Sequence, residues 1–172
     1  MVQSSTWCAR FVNNYLEARD QRQVALVQAL GDGYRAVVFL SLNVPGAEKA
    51  PRGSGALFSW ALREIQAACP PFVPLAVSQD ALGHFAIVAT GRDPVAVKRI
   101  AVALEASHPA GRLVDLDVYL ASGEQIGRRE LGYPARTCLL CDQPAVDCMR
   151  LKRHAHDEVV ARTYELLANF NA

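Results

Sequence analysis

Apolar residues recur at roughly every third or fourth position from about Ala9 to Leu30, with Phe11, Tyr15, Ala18, Ala25 and Ala29 on one side, a spacing that predicts a first helix. Gly31-Asp32-Gly33 ends it. The pattern then changes. Ala36-Val37-Val38-Phe39-Leu40 is a continuous β-rich run, so a buried strand is expected from Arg35 to Asn43, closed by Pro45-Gly46. A loop carrying Lys49, Arg52, Gly53 and Gly55 precedes a helix over about Leu57 to Ala68, stopped by Pro70-Pro71. Val73 to Ser78 and His84 to Thr90 read as two strands joined by a hairpin loop. Asp93 is placed to cap a helix that starts at Pro94 and runs to about Ala106. Val114-Asp115-Leu116-Asp117-Val118 alternates apolar and acidic side chains, the pattern of a half-buried strand. A shorter segment around Gln125 to Arg129, a cysteine-containing stretch and a last helix from about Asp157 to Asn169 follow.

From Arg35 to Leu120 the order is strand, helix, strand, strand, helix, strand, which is the ferredoxin-like split βαβ order. The expected fold class is α+β, with two helices covering one face of an antiparallel sheet, an added N-terminal helix and a C-terminal cysteine-containing segment and helix. A chain of 172 residues suits one domain rather than two.

Composition narrows the function classes. The chain is 51% hydrophobic and 20% charged with a formal net charge of +1, an ordinary globule with no general basic character that would call for nucleic acid. No segment reaches the roughly 18 uninterrupted apolar residues of a membrane helix. Met1 to Trp7 lacks the basic start and apolar stretch of a secretory signal, so a cytoplasmic protein is expected. Five cysteines, an odd number, favour reduced thiols or metal ligands over a disulfide framework. Cys8 and Cys69 read as isolated packing residues. Cys138-x2-Cys141-x6-Cys148, with His154 and His156 beyond, offers the donors of a three-cysteine, one-histidine zinc site; the alternative is a group of small, soft core residues leading into the last helix.

The acidic pair carries the clearest chemistry. Asp115 and Asp117 project from one face of their strand while Val114, Leu116 and Val118 line the other. Two hard oxygen donors so placed suit a Mg²⁺ ion that also holds substrate phosphates. The plain alternative is a solvated strand face.

Gly111-Arg112-Leu113-Val114-Asp115-Leu116-Asp117-Val118, with His108-Pro109 just before it, resembles the signature of the apo-citrate lyase phosphoribosyl-dephospho-CoA transferases, also called holo-citrate lyase synthases. Leu40-Ser41-Leu42-Asn43-Val44-Pro45-Gly46 followed by Lys49 is similar to that family's early segment. Arg136-Thr137-Cys138-Leu139-Leu140-Cys141, then Pro144-Ala145, Cys148 and Arg150 through His154, is similar to its cysteine-containing end. The likeness spans about Arg19 to Leu167.

The resemblance implies transfer of the 5′-phosphoribosyl-dephospho-CoA unit from triphosphoribosyl-dephospho-CoA to a serine of the acyl carrier protein subunit of citrate lyase, with pyrophosphate leaving. Asp115 and Asp117 would then hold Mg²⁺, and Arg112 would grip a phosphate bidentately. Strict strand alternation instead turns Arg112 toward the Val114 face unless Gly111 bends the strand start. Lys49, Arg19 and Arg22 are further phosphate candidates, each with a solvated surface charge as the alternative. His108 is a candidate acceptor of the serine proton, or simply a residue that ends a helix. Carrier proteins are commonly acidic, so a basic docking patch is expected among Arg128, Arg129, Arg150, Lys152 and Arg153. Two other readings stand beside this one: an interaction module built on the cysteine-containing tail, and a phosphate-transfer enzyme with a different donor.

Overall fold

The computed structural model describes residues 3–171, and their side chains from residue 14 onward. Cys8 and Phe11 therefore lie outside the described side chains. The elements are α1 (Gln3–Gly31), β1 (Ala36–Leu42), α2 (Ser54–Ala68), β2 (Phe72–Asp80), β3 (Gly83–Thr90), α3 (Pro94–Ala106), β4 (Val114–Leu120), α4 (Ala145–Arg150) and α5 (His156–Ala168). The architecture is α+β, as expected. All sheet pairings are antiparallel, and the strand order is β2-β3-β1-β4.

Local chemistry explains most boundaries. Asp93 accepts from the Ala96 N–H at 2.9 Å, and Pro94 opens α3 where a missing N–H costs nothing. The hairpin is tighter than expected, because Gln79 pairs with His84 and Asp80 with Gly83, leaving a two-residue turn. Three features were not anticipated: the six-residue α4, too short to show helical periodicity, and 3₁₀ turns over Pro109–Leu113, ahead of β4, and Arg129–Leu131, after it.

The sheet has two dressed faces. On one, Val38, Leu40, Leu116 and Val118 pack against Leu57, Ala61 and Ile65 of α2 and Val97, Ala101 and Leu104 of α3; Leu166 and Leu167 of α5 close the same core. On the other, Leu26 and Ala29 of α1 cover Val37, Phe85 and Ile87. That helix lies across β1, β2 and β3. No helix among the described residues is long and apolar enough to cross a membrane.

Strand β4 is at the sheet edge, where unpaired backbone groups are a liability unless covered. Side chains cover them here. Glu105 at the end of α3 accepts from the Leu116 N–H at 2.9 Å, and Lys98 donates to the Leu116 carbonyl at 2.8 Å. Arg136 donates to the Val114 carbonyl at 3.0 Å, and farther along the Ile126 N–H reaches the Val118 carbonyl at 2.9 Å. Glu105 and Lys98 are 3% and 4% exposed, so each charge depends on its partners. Replacing Glu105 by Leu strands two arginines and one N–H and is expected to cost about 3–5 kcal/mol of unfolding free energy. Glu105→Gln, which still offers an acceptor to Leu116, should cost less. Urea unfolding followed by circular dichroism checks that order.

Candidate active site

Strand alternation places Asp115 and Asp117 on the face opposite the α2/α3 core, and the register sets them across from Ser41 and Phe39 of β1. Val114, Leu116 and Val118 are buried on the other side. Each carboxylate is held by one oxygen. Arg136 donates to Asp115 Oδ1 at 2.8 Å, and Gln125 Nε2 donates to Asp117 Oδ1 at 2.5 Å. Among the described residues, neither Oδ2 accepts a hydrogen bond. Burial, and then the charge of Asp115, push Asp117 up to about 6, against the opposing pull of Lys98 and Arg136. The positive charges nearby do not offset that burial. This donor set, two carboxylates each with a free oxygen, fits Mg²⁺, which takes one or two protein carboxylates and completes its shell with water and phosphate.

Arginines gather beside the pair. Arg112 lies in the 3₁₀ turn rather than in the strand, so strand alternation does not govern its side chain. Gly111 lets that turn close on α3, since a Cβ there would sit 2.9 Å from the Glu105 carbonyl oxygen. Arg112, Arg128, Arg136 and Glu105 line a cavity of about 50 Å³. Glu105 bridges Arg128 through one oxygen and Arg136 through the other, the latter at 2.5 Å. Arg112 donates to Thr137 Oγ1 at 2.7 Å, while its buried Nε has no partner. Burial, then the charges of Arg136 and Arg128, lower the affinity of Arg112 for its own proton. Three guanidinium groups with one buried carboxylate between them leave surplus positive charge and an unspent donor.

The remaining predicted residues have partners elsewhere. Arg22 makes a bidentate pair with Asp80 at 2.7 and 2.8 Å, donates to the Gly83 carbonyl and lies 4.5 Å from the Phe85 ring centroid. Arg19 meets Asp20 at 3.3 Å on the exposed side of α1. Lys49 donates to the Val44 carbonyl at 2.8 Å and so closes its own loop. His108 caps the 3₁₀ turn, its Nδ1 accepting from the Ala110 N–H at 3.0 Å, and its ring packs against Trp60 and Phe170. Sequence reasoning missed Glu105 and Lys98 and gave Arg136 no role at the acidic pair. For Lys98 and Glu105 the only signal was the rare placement of charges on an otherwise apolar helix face, and Arg136 had none.

A cavity of about 460 Å³ opens where β1 ends, with Asn43 and Pro45 on one side and Leu139, Met149 and Val159 on the other. Asn43 comes directly after β1 and donates its N–H to the Leu113 carbonyl at 2.7 Å, so the cavity begins where β1 and the turn ahead of β4 meet. The volume is that of an ordinary small-molecule site, with largely apolar walls.

Comparison with known proteins agrees with the resemblance. A family model described as apo-citrate lyase phosphoribosyl-dephospho-CoA transferase matches residues 11–170. The chain is similar to a Citrobacter koseri protein of that name, 32% identical over 181 residues covering 97% of this chain and 93% of the relative. A Vibrio cholerae protein named probable apo-citrate lyase phosphoribosyl-dephospho-CoA transferase is 31% identical over 141 residues, 78% of this chain and 79% of its own. An Escherichia coli protein with the same name, without the qualifier, is 41% identical over 90 residues, 52% of this chain and 48% of its own.

The raised Asp117 carboxyl has a measurable consequence. The folded chain binds this proton more tightly than the unfolded chain, whose carboxyl titrates near 3.8. Its contribution to stability is therefore greatest below about pH 4, falls as pH rises through about 6, and stays low above that. Asp117→Asn removes the charge that causes the fall. Above pH 6 the variant should melt higher than the parent by roughly 2–4 °C per kcal/mol of penalty relieved, and below about pH 4 the two should converge. Calorimetry across pH 3–8 checks both limits.

Proposed function

This chain belongs to the apo-citrate lyase phosphoribosyl-dephospho-CoA transferase family, and on that premise we propose that it moves the 5′-phosphoribosyl-dephospho-CoA unit from triphosphoribosyl-dephospho-CoA to a serine of the citrate lyase acyl carrier protein. The observation that carries the site assignment is the juxtaposition, through Arg136, of the Asp115/Asp117 pair with the Arg112, Arg128 and Arg136 cluster. In this reading the serine Oγ forms a bond to the α-phosphorus, the bond from that phosphorus to the bridging oxygen breaks, the serine proton is released, and pyrophosphate leaves. Little covalent chemistry is asked of the protein, because phosphoryl-type transfer is mostly positioning and charge neutralisation.

The residues divide the work accordingly. Arg112 offers its guanidinium to a phosphate oxygen in the cavity it shares with Arg128 and Arg136, and these two add fixed positive charge that costs nothing to reorganise during reaction. Asp115 and Asp117 would hold a Mg²⁺ ion, which supplies further neutralisation of the phosphates when bound. The larger cavity beyond Asn43 suits the pantetheine arm of the donor, and Lys152 on its wall, with exposed Arg150 and Arg153 next to it in sequence, suits an acidic carrier protein. Arg22, Lys49 and His108, already engaged, act in this reading as frame rather than as substrate contacts. A ferredoxin-like assignment is supported by the sheet order, in which β3 lies between β1 and β2 while β1 lies between β3 and β4. Work on a carrier protein and a CoA-type donor goes with residence in the cytoplasm.

Intact-mass spectrometry of the apo carrier protein, incubated with donor, Mg²⁺ and this protein, should show a gain equal to the phosphoribosyl-dephospho-CoA group. Chelation of Mg²⁺ or the Asp115→Asn and Asp117→Asn variants should abolish it while the fold is retained. A folded parent protein that produces no gain from a competent donor sinks the reading. Arg112→Lys keeps a charge but loses the planar fork, and kcat/KM for the donor should fall about 10–100-fold, the size of one lost charge-assisted hydrogen bond. Steady-state kinetics at varied donor measures that loss.

A further inference from the structure

Between Ile126 and Thr163 the only buried side chain is Cys148. This stretch leaves Val146 54%, Met149 71% and Leu151 59% exposed, and only the partly buried Leu131 and Leu139 lean on the main core, so it has no apolar core of its own to hold its shape. It nevertheless adopts a defined path. Thr137 pairs with Pro144, the Cys138 N–H donates to the Gln143 carbonyl at 2.7 Å, and the Ala145 N–H donates to the Arg136 carbonyl at 2.8 Å. Lys152, in the turn between Cys148 and His154, takes a left-handed φ of 47°, a cost that persists only where the surroundings impose it. Chain segments too small to bury a core are commonly stapled by disulfides or metals, and the cysteines here are free.

The staple is present in the side chains. The ligand atoms of Cys138, Cys141, Cys148 and His154 all lie within 4.8 Å of one another. Cys141 Sγ is 3.5 Å from Cys148 Sγ and 3.3 Å from His154 Nε2. Tetrahedral zinc with sulfur ligands at about 2.3 Å separates its donors by roughly 3.8 Å, so a small outward breath of this cluster accommodates the ion. The Leu140 N–H points at Cys138 Sγ from 3.5 Å, the kind of outer contact that orients a thiolate ligand. Of the two nearby histidines, it is His154 and not His156 that joins the cluster.

We propose that Cys138, Cys141, Cys148 and His154 form a structural zinc site that pins the C-terminal segment, and through it Arg136 and Thr137, against the edge of β4. Four protein donors fill the tetrahedron, leaving no open position for catalysis. Binding displaces the thiol protons and ties segment order to metal occupancy. The loop that presents Arg136 to Asp115 and Thr137 to Arg112 is then held from one side by the metal and from the other by the β4 edge.

Protein purified without chelator from zinc-supplemented cells should carry one zinc per chain by inductively coupled plasma mass spectrometry. Cobalt exchanged into it should show thiolate-to-cobalt charge transfer and the intense visible bands of a tetrahedral site. Cys141→Ser and His154→Ala should each weaken metal binding at least tenfold, whereas His154→Cys, which keeps four soft donors, should retain it. Stripping the metal should speed hydrogen exchange across residues 128–155 and leave β1 and β3 protected. A metal-free parent that binds no cobalt and melts identically with and without chelator overturns the proposal. So does a Cys141–Cys148 disulfide in unreduced protein, or a singly reactive Cys141 paired with His154 in a metal-free chain. None of these readouts depends on the transfer reaction, so the metal assignment and the enzymatic reading fail separately.

Discussion

One buried carboxylate, Glu105, ties the fold to the site. Its Oε1 accepts the Leu116 N–H and Arg136, and its Oε2 accepts Arg128. A charge at 3% exposure is costly unless fully paired, and here the pairing is drawn from three separate parts of the chain: the β4 edge, the residues after β4, and the cysteine segment. The same contact that seals an open sheet edge thus fixes where two arginines can be. Since one carboxylate answers two guanidinium groups and a third stands beside them, the local balance stays positive, and an anionic ligand is the natural complement.

The acidic pair shows the opposite imbalance. Asp117 is pushed up by its own burial and by Asp115, and Gln125 offers it only a neutral donor. An arrangement selected for stability alone would replace one of these carboxylates, as two like charges side by side on one strand face gain the fold nothing. Positive surplus at the arginines and negative surplus at the aspartates, bridged only by Arg136, describe a site that a polyphosphate together with a cation would neutralise. The arginine-lined cavity and the two Oδ2 atoms are where those charges would be met.

Much of this was legible in the chain, and the exceptions share a cause. Helix α3 was readable to the residue because Asp93 and Pro94 announce its start by local chemistry. The face shared by Asp115 and Asp117 followed from a period of two, which depends on nothing distant. Arg112 was harder, as a 3₁₀ turn interrupts the alternation that would have aimed it toward the core face. Arg136 was given no role at the acidic pair, because its partners are 21 and 31 residues away and no spacing rule reaches that far. Lys98 and Glu105 were given no role, since burial at a sheet edge appears only once β4 is known to be outermost. The zinc donors were visible as residue types, but their six-residue gap became intelligible only with α4, whose turn and a half carries Cys148 back beside Cys141.

The cysteine segment shows how a small domain can complete a site beyond its own core. The sheet and its helices supply Asp115, Asp117, Arg112 and Glu105 from elements that bury apolar surface and hold their shape by packing. Arg136 and Thr137 come instead from a stretch with almost no buried side chain. Apolar packing cannot place them to within a hydrogen-bond length, so point interactions must: Arg136 on Glu105 and the Val114 carbonyl on one side, and the cluster beginning at Cys138 on the other. Because Arg136 and Cys138 are separated by a single residue, any loosening of the cluster is transmitted within two peptide units to the guanidinium that holds Asp115. Changes around Cys148 or His154, far along the chain from the acidic pair, should therefore act on the site through the position of Arg136 rather than through the sheet.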